Sequence, residues 1–323
     1  MSQPTPNDVH VDSVLTNVSV AYLQDSTSYV ADKVFPVVPV EHKSDKYYKY
    51  TKGDFFRDVS QARAAGTESA GGGYSLATDS FSCEVYAFHK DVDEQTLANA
   101  DLALGPEIDA TRFITQVLMI GRERAWASAY FGTGIWGTDK VGTTDFTKWS
   151  SDVSDPIHDI GTARITILQN TGFLPNKLVL GAKVFESLKR HPLIVDRIKY
   201  TGAASANELK VPTEAAMAEL FEVEEVLVSR AVYNSANEGA TDNFSFISGD
   251  NALLTYASPM PGLMQPSGGY TFVWARFTGL NTHGLRVKTF PLYQLSSSRV
   301  EGEMAYCHKL VSSELGYFFS GAI

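Results

Sequence analysis

Between Lys43 and Lys90 two β-type runs flank a long polar, glycine-rich stretch, and this arrangement restricts the fold more than any other feature of the chain. The first run is Lys46-Tyr47-Tyr48-Lys49-Tyr50-Thr51-Lys52; the return run is Phe81-Ser82-Cys83-Glu84-Val85-Tyr86-Ala87-Phe88, which alternates at its start. Between them the chain passes from Gly53 through Ala64-Ala65-Gly66-Thr67 to Gly71-Gly72-Gly73. A stretch with so few apolar side chains cannot build a core. It is expected to leave the body as the tip of a long hairpin, mobile until another surface covers it. Upstream, Val34-Phe35-Pro36-Val37-Val38-Pro39-Val40 holds two prolines in seven residues, which excludes a helix and a central strand. Its valines are buried either by lying along another surface, as the end of an extended arm over residues 1–40, or as an edge strand of their own domain. Val9 to Val20, earlier in that arm, shows no firm helical period.

Charge sharpens the picture. Residues 41–65 contain Lys43, Lys46, Lys49, Lys52, Arg57 and Arg63 against four acids, whereas the whole chain of 323 residues carries −10. A weakly basic projection on an acidic body favours docking between copies of one protein. The acidic balance also argues against a simple nucleic-acid binder. No apolar run is long enough to span a bilayer, and the start lacks the blocks of a secretion signal. Cys83 and Cys307 form neither a disulfide framework nor a metal set, which suits a reducing cytoplasm.

The body begins with a long helix. Pro106 sits where a first-turn proline is welcome, Glu107 and Asp109 suit the positive end of the dipole, and Gly132 ends the run. Phe113, Ile114, Val117, Leu118, Gly121 and Ala125 form the expected apolar stripe of a rod about 39 Å long at 1.5 Å per residue. From Asp155 short helices and strands alternate. A helix capped by Asp155 is stopped by Gly172, Lys177–Leu180 is a strand, Ala182–Arg190 is a helix, and His191-Pro192 starts a further turn. Thr213–Phe221 is helical and Glu225–Val228 is a strand. This is a compact α/β unit of about a hundred residues. Tyr270–Ala275, Leu285–Phe290 and Val300–Val311 then read as strands, and Tyr317-Phe318-Phe319 is expected to keep the carboxy terminus packed.

The sequence offers little chemistry. Gly132-Thr133-Gly134-Ile135-Trp136-Gly137 matches G-x-G-x-x-G, but it follows a helix and enters a loop-like stretch from Thr138 to Ser150, so a turn ending the rod is the better reading. The seven histidines show no zinc spacing. His158-Asp159 reads as a solvated first turn, and Asp91, Asp93 and Glu94 read as acids at a helix start more readily than as a cation site. The Lys/Tyr alternation at 46–52 suits cross-strand packing better than base stacking. No catalytic, cofactor or metal residue is assigned.

The order of parts resembles the major capsid proteins of tailed bacteriophages. The residues that carry it are Ala31-Asp32-Lys33-Val34-Phe35-Pro36-Val37-Val38-Pro39-Val40, Lys46-Tyr47-Tyr48-Lys49-Tyr50, Arg63-Ala64-Ala65-Gly66-Thr67 and Asp91-Val92-Asp93-Glu94. They continue in Asn176-Lys177-Leu178-Val179-Leu180-Gly181, His191-Pro192-Leu193-Ile194-Val195-Asp196 and Gly269-Tyr270-Thr271-Phe272. The resemblance implies an α+β chain with the Hong Kong 97-type viral capsid fold. Its parts are an N-terminal arm (1–40), an extended β-hairpin E-loop (41–90), a peripheral domain with a spine helix (91–152, returning at 270–312) and an axial domain (153–269, with the final residues 313–323 as a candidate addition). It implies a structural subunit that self-assembles into hexamers and pentamers of an icosahedral head enclosing double-stranded DNA, assembled in the host cytoplasm and residing in the virion capsid. Phe35, Tyr47, Tyr48, Lys49, Tyr50, Lys52, Arg57 and Arg63 are the expected contacts between subunits, and Phe113, Val117, Leu118 and Gly121 mark the spine helix. A separate scaffolding protein, or assembly without one, is expected, since the arm leaves no room for a cleaved scaffolding segment; a portal and a decoration protein are further expected partners. Acidic residues facing inward would keep packaged DNA from adhering. Two alternatives are an encapsulin-like compartment subunit holding a protein cargo and an enzyme built on the α/β unit; for the latter no convergent acid, base and nucleophile set is found.

Overall fold

The computed structural model describes residues 23–100, 105–200, 212–262, 264–279 and 284–323. Most of the expected arm, residues 1–22 with Val9–Val20, lies outside the described residues. Two sheets organise the rest, with the long helix across one of them and a helical layer against the other.

The first sheet runs in the order Val37–Val40, Gly269–Trp274, Ser297–Leu310, Leu285–Leu292, and Glu84–Asp93 also pairs with the long strand Ser297–Leu310. Val37–Val40 pairs in parallel with Thr271–Trp274 as an edge, where Pro39 removes no inward hydrogen bond. The edge-strand alternative for this segment is therefore the one observed. Helix Pro106–Tyr130 lies on this sheet. Gly302 permits the contact: a Cβ there would stand 2.5 Å from Ile114 Cγ2 and 2.9 Å from Leu118 Cδ1. Ala110, Ile114 and Leu118 are buried with Val92, Val273, Val300 and Met304.

The buried stripe differs from the one expected. It recurs every four residues as Ala110, Ile114, Leu118, Arg122, Trp126 and Tyr130, with Glu123 alongside. Gly121 is exposed and Phe113 and Val117 are half-buried, so of the four marker residues Leu118 lies fully in the core. A sequence reading passes over 122 and 123 because both are charged. They become core residues because each meets a partner there.

The second sheet runs Thr138–Val141, Gly316–Ser320, Ala252–Thr255, Lys177–Gly181, Glu225–Ser229. Thr138–Val141, read from sequence as loop, is thus an edge strand, and the last strand of the chain enters the sheet interior. Both faces are covered. Leu178, Leu180, Leu254, Tyr317 and Phe319 pack under the helices with Trp149, Ile160, Ile167 and Leu188. The alternate residues Val179, Leu253 and Phe318 face the other way, against Trp126, Tyr130, Phe131 and Trp136. Period-two alternation with an apolar residue on each side explains why these strands read as continuous hydrophobic runs. Helices Pro156–Thr171, Ala182–Arg190, Pro192–Tyr200 and Glu214–Phe221 form the covering layer. Asp155 accepts from His158 N–H and Gly172 closes the first of them in the left-handed region (φ 77°). Asp159 is not a solvated first-turn acid: it accepts from Trp149 Nε1 at 2.9 Å, and burial raises its pKa.

Candidate assembly surfaces

The hairpin pairs Ser44–Tyr50 with Leu76–Ser82, Tyr47 opposite Asp79. The return strand is therefore Leu76–Ser82, not Phe81–Phe88. The chain breaks at buried Cys83, and Glu84–Asp93 belongs to the first sheet. The reason lies in exposure. Leu76–Ser82 projects from the body with both faces largely in solvent, so it has no apolar alternation to read.

Its base is fastened by aromatic and polar contacts. Phe81 stacks on Phe272 at 4.2 Å and 10°. Tyr47 lies 6.0 Å from the same ring and donates its hydroxyl to Asp79 at 2.9 Å. Lys309 reaches Asp79 at 3.1 Å, and Cys83 N–H donates to the Lys43 carbonyl at 2.7 Å. Burial, with the Asp79 carboxylate beside it, pushes the Tyr47 phenol well above its ordinary pKa.

Beyond the base the hairpin is solvent-facing. Tyr48, Phe55, Phe56, Val59, Tyr74 and Leu76 are half exposed or more, and Lys46, Lys49, Arg57 and Arg63 point into water. The rings of Tyr50, Phe55 and Tyr74 gather 5.6–6.0 Å apart. Arg63 Nε donates to the Thr67 carbonyl at 2.5 Å within a turn made by Gly66 (φ 80°). Lys52 Nζ donates to the Asn170 carbonyl and pairs with Glu314. Of the eight expected contact residues, Tyr48, Lys49, Lys52, Arg57 and Arg63 are exposed, and Tyr47 and Tyr50 are half-buried in the hairpin's own packing. Phe35 is elsewhere. It is 1% exposed inside its own subunit, 4.6 Å from the Tyr130 ring and 6.2 Å from Trp136, so its surface is spent on its own core.

The base of the arm is held by a buried charged site that sequence reading missed. Glu123 accepts from Val30 N–H at 3.1 and 3.2 Å and from Ala31 N–H at 3.0 Å, with the Ser229 hydroxyl at 3.5 Å. Neighbouring Arg122 pairs with Asp32 at 2.5 Å and sits over the Tyr306 ring. Burial pushes the Glu123 pKa up to about 7, against the pull of the backbone hydrogen bonds. Burial, and then the Arg122 charge, push His308 down to about 3. The signal was present in the spacing: Arg122 continues the every-fourth-residue series of the helix.

The acids Asp91 and Asp93 have structural partners. Asp91 forms a two-pronged pair with Arg299 at 2.6 and 2.7 Å, and Asp93 caps helix Glu94–Asn99 through Thr96. Among the described residues no His, Cys, Asp and Glu cluster is arranged to hold a metal, and no helix is long and apolar enough to cross a membrane.

Comparison with known proteins supplies the context for these surfaces. No family model matches the chain. The major capsid protein of Burkholderia phage BcepMu is 27% identical over 325 residues, covering 96% of both chains. Among solved structures, a phage-related protein from Bordetella bronchiseptica RB50 superimposes with a TM-score of 0.65 at 24% identity, over 93% of this chain and 94% of that one. The capsid of cyanophage P-SCSP1u follows with a TM-score of 0.61 at 10% identity, over 97% and 93%. The encapsulin of Synechococcus elongatus PCC 7942 shares the fold as well, with a TM-score of 0.57 at 10% identity over 97% and 96%. Fold alone therefore spans phage heads and protein compartments, while curated relatives that match end to end in sequence are phage capsid proteins. The chain has the α+β Hong Kong 97-type capsid fold and is a homologue of the major capsid proteins of tailed bacteriophages, a structural capsid subunit.

Proposed function

We propose that copies of this chain join as hexamers and pentamers into a closed icosahedral head that encloses double-stranded DNA without reading its sequence. The observation that carries this is the hairpin. Six apolar or aromatic side chains stand at least half exposed on a two-stranded element that contributes little to either core. Contiguous exposed apolar surface marks an interaction site, and identical contacts repeated head to tail close into rings.

In this reading the arm takes residues 1–40 and the E-loop 41–90. The peripheral domain is the spine helix with the rest of the first sheet, to which the end of the arm (Val37–Val40) and the last residues of the E-loop segment (from Glu84) also pair as strands. The axial domain is the second sheet with its helical layer, including Thr138–Val141 and residues 313–323. Tyr47, Tyr48, Lys49, Tyr50, Lys52, Arg57 and Arg63 serve the contact between subunits, and Phe35 serves the fold of its own subunit. The proposed partners are further copies of the chain, a separate scaffolding protein, a portal and a decoration protein. Assembly in the host cytoplasm and residence in the virion capsid complete the proposal, which assigns the chain no catalytic role.

Deletion of Gly53 to Gly73 tests the reading. Electron microscopy of the intact protein, purified with its scaffold, is expected to show rings or closed shells, and the deletion variant a soluble subunit without them. Intact shells from the deletion variant would remove the hairpin from the assembly contact. The encapsulin likeness supports a second reading, a compartment for protein cargo. Particles that absorb as protein alone and carry a co-purifying enzyme would favour it over the phage head.

A further inference from the structure

The tip of the hairpin rests on its own subunit. Lys52 Nζ donates to the Asn170 carbonyl at 2.6 Å and pairs with the Glu314 carboxylate. Phe56 lays its ring over Gly172, where a Cβ would stand 3.1 Å from the ring.

Local structure prepares both sides of this contact. On the tip, Thr51 N–H donates to the Ser75 carbonyl and Ser75 N–H donates to Asp54 at 2.9 Å, which closes the neck of the loop. Helix Lys52–Phe55 then carries Lys52 and delivers Phe56 just beyond its end. On the receiving side, helix Pro156–Thr171 ends beside the contact, so its last carbonyls present the negative end of the helix dipole. Glu314, in the short 3-10 turn Ser313–Leu315, adds a carboxylate. A cation on the tip thus meets two negative acceptors, and a ring meets a residue that has no side chain.

The contact is shallow. The Lys52 and Glu314 side chains are 43% and 47% exposed, and Phe56 is 64% exposed. Such an ion pair is screened by salt and contributes little, so a competing surface displaces it readily. Tyr48, Phe55, Tyr74 and Leu76 remain uncovered while it holds. A neighbouring copy that covers them gains apolar burial that the subunit's own patch does not provide.

We infer that the Asn170, Gly172 and Glu314 patch is a latch that parks the hairpin tip of the same subunit, withholding it from neighbours until assembly supplies a larger cover. The inference rests on the capsid reading and adds a regulatory contact to it. In the free subunit the loop is predominantly docked, and assembly shifts it to the exchanged position.

A zero-length carbodiimide crosslinker tests the docking on the full-length subunit, because it joins an amine to a carboxylate in direct contact. Mixing subunits of natural and ¹⁵N isotope content before crosslinking separates contacts within a chain from contacts between chains. The expected product is a Lys52 to Glu314 crosslinked peptide of uniform isotope content in free subunits, lost in Glu314→Lys. Glu314→Lys is also expected to shorten the lag of assembly followed by light scattering, by a few-fold at low salt. The exchanged pair Lys52→Glu with Glu314→Lys is expected to return the lag toward wild type. Absence of the crosslinked peptide, or mixed isotopes within it, would overturn the latch. So would an unchanged or longer lag in Glu314→Lys. Where no variant and no wild-type sample yields particles with its scaffold, the capsid reading fails, and the crosslink still decides the docking on its own.

Discussion

Glu123→Gln separates the two roles of the carboxylate at the arm base: accepting hydrogen bonds and carrying a charge. The Val30 and Ala31 N–H groups donate to it at 3.0–3.2 Å in a site without solvent access. Its pKa is about 7 in the folded chain against 4.5 for the free side chain. Between those values the native state holds a proton that the unfolded chain has released. The stability linked to this group is therefore full below pH 4.5 and falls as pH rises. At about 1.4 kcal/mol per pH unit, the ionised carboxylate costs about 3 kcal/mol once the pH exceeds 7. His308 runs the other way. With a folded pKa of about 3 against 6.5, it lowers stability as pH falls below 6.5. Between pH 5 and 8 the two contributions, each about 2 kcal/mol, oppose and leave their sum nearly flat.

Gln keeps a carbonyl acceptor and removes the charge. From pH 5 to pH 8 the stability of Glu123→Gln relative to wild type should therefore rise by about 2 kcal/mol. Urea unfolding of unassembled subunits, followed by tryptophan fluorescence, to which buried Trp126 on the same helix contributes, reads that difference, and subtracting the wild type cancels His308. Glu123→Ala removes the acceptor as well. It strands two buried N–H groups and should cost about 2–5 kcal/mol relative to Glu123→Gln at every pH. A variant-to-wild-type difference that stays constant from pH 5 to 8 would refute the reasoning, since it would mean that the carboxylate does not titrate in that window.

Gly302→Ala should destabilise the subunit by about 1–3 kcal/mol, because the added methyl meets Ile114 and Leu118 within 2.9 Å and must lift the helix; thermal unfolding checks it. Phe35→Ala should cost about 3–5 kcal/mol through the cavity it leaves beside Tyr130 and Trp136. A loss under about 1 kcal/mol would place that ring outside its own core. Asp91→Asn should cost about 1 kcal/mol at pH 7. Its hydrogen bonds from Arg299 depress the folded pKa, so the contribution is present above pH 3.8 and lost as pH falls through the lower folded value. A wild-type-minus-variant difference that persists at pH 2 would contradict it.

The elements legible in the sequence are those whose boundaries rest on nearby residues. Asp155, Pro156 and Gly172 set both ends of their helix through one cap, one first-turn proline and one left-handed glycine, and Ala182–Arg190 is the helix read from its residues. The long helix was legible from Pro106 and its apolar recurrence, for the same short-range reason. Its buried face was not. Arg122 and Glu123 are core residues because Asp32 and the Val30 and Ala31 amides lie beside them, some ninety residues away in the chain.

Pairing partners were equally beyond local reading. Glu84–Asp93 joins Ser297–Tyr306 across more than two hundred residues, and nothing within either strand names the other. The hairpin's true return strand escaped notice because solvent lies on both its faces, and a strand without a buried face has no pattern to show. The order of arm, hairpin, rod, α/β unit and closing strands was enough to place the chain among capsid proteins. Which surfaces the subunit keeps for itself, with Phe35 buried in its core and Tyr48, Tyr74 and Leu76 of the hairpin left exposed, depended on contacts distant in sequence. Caps and periodicities are energies of a few neighbouring residues, whereas burial of a charge or a ring is settled by whatever the completed fold brings against it.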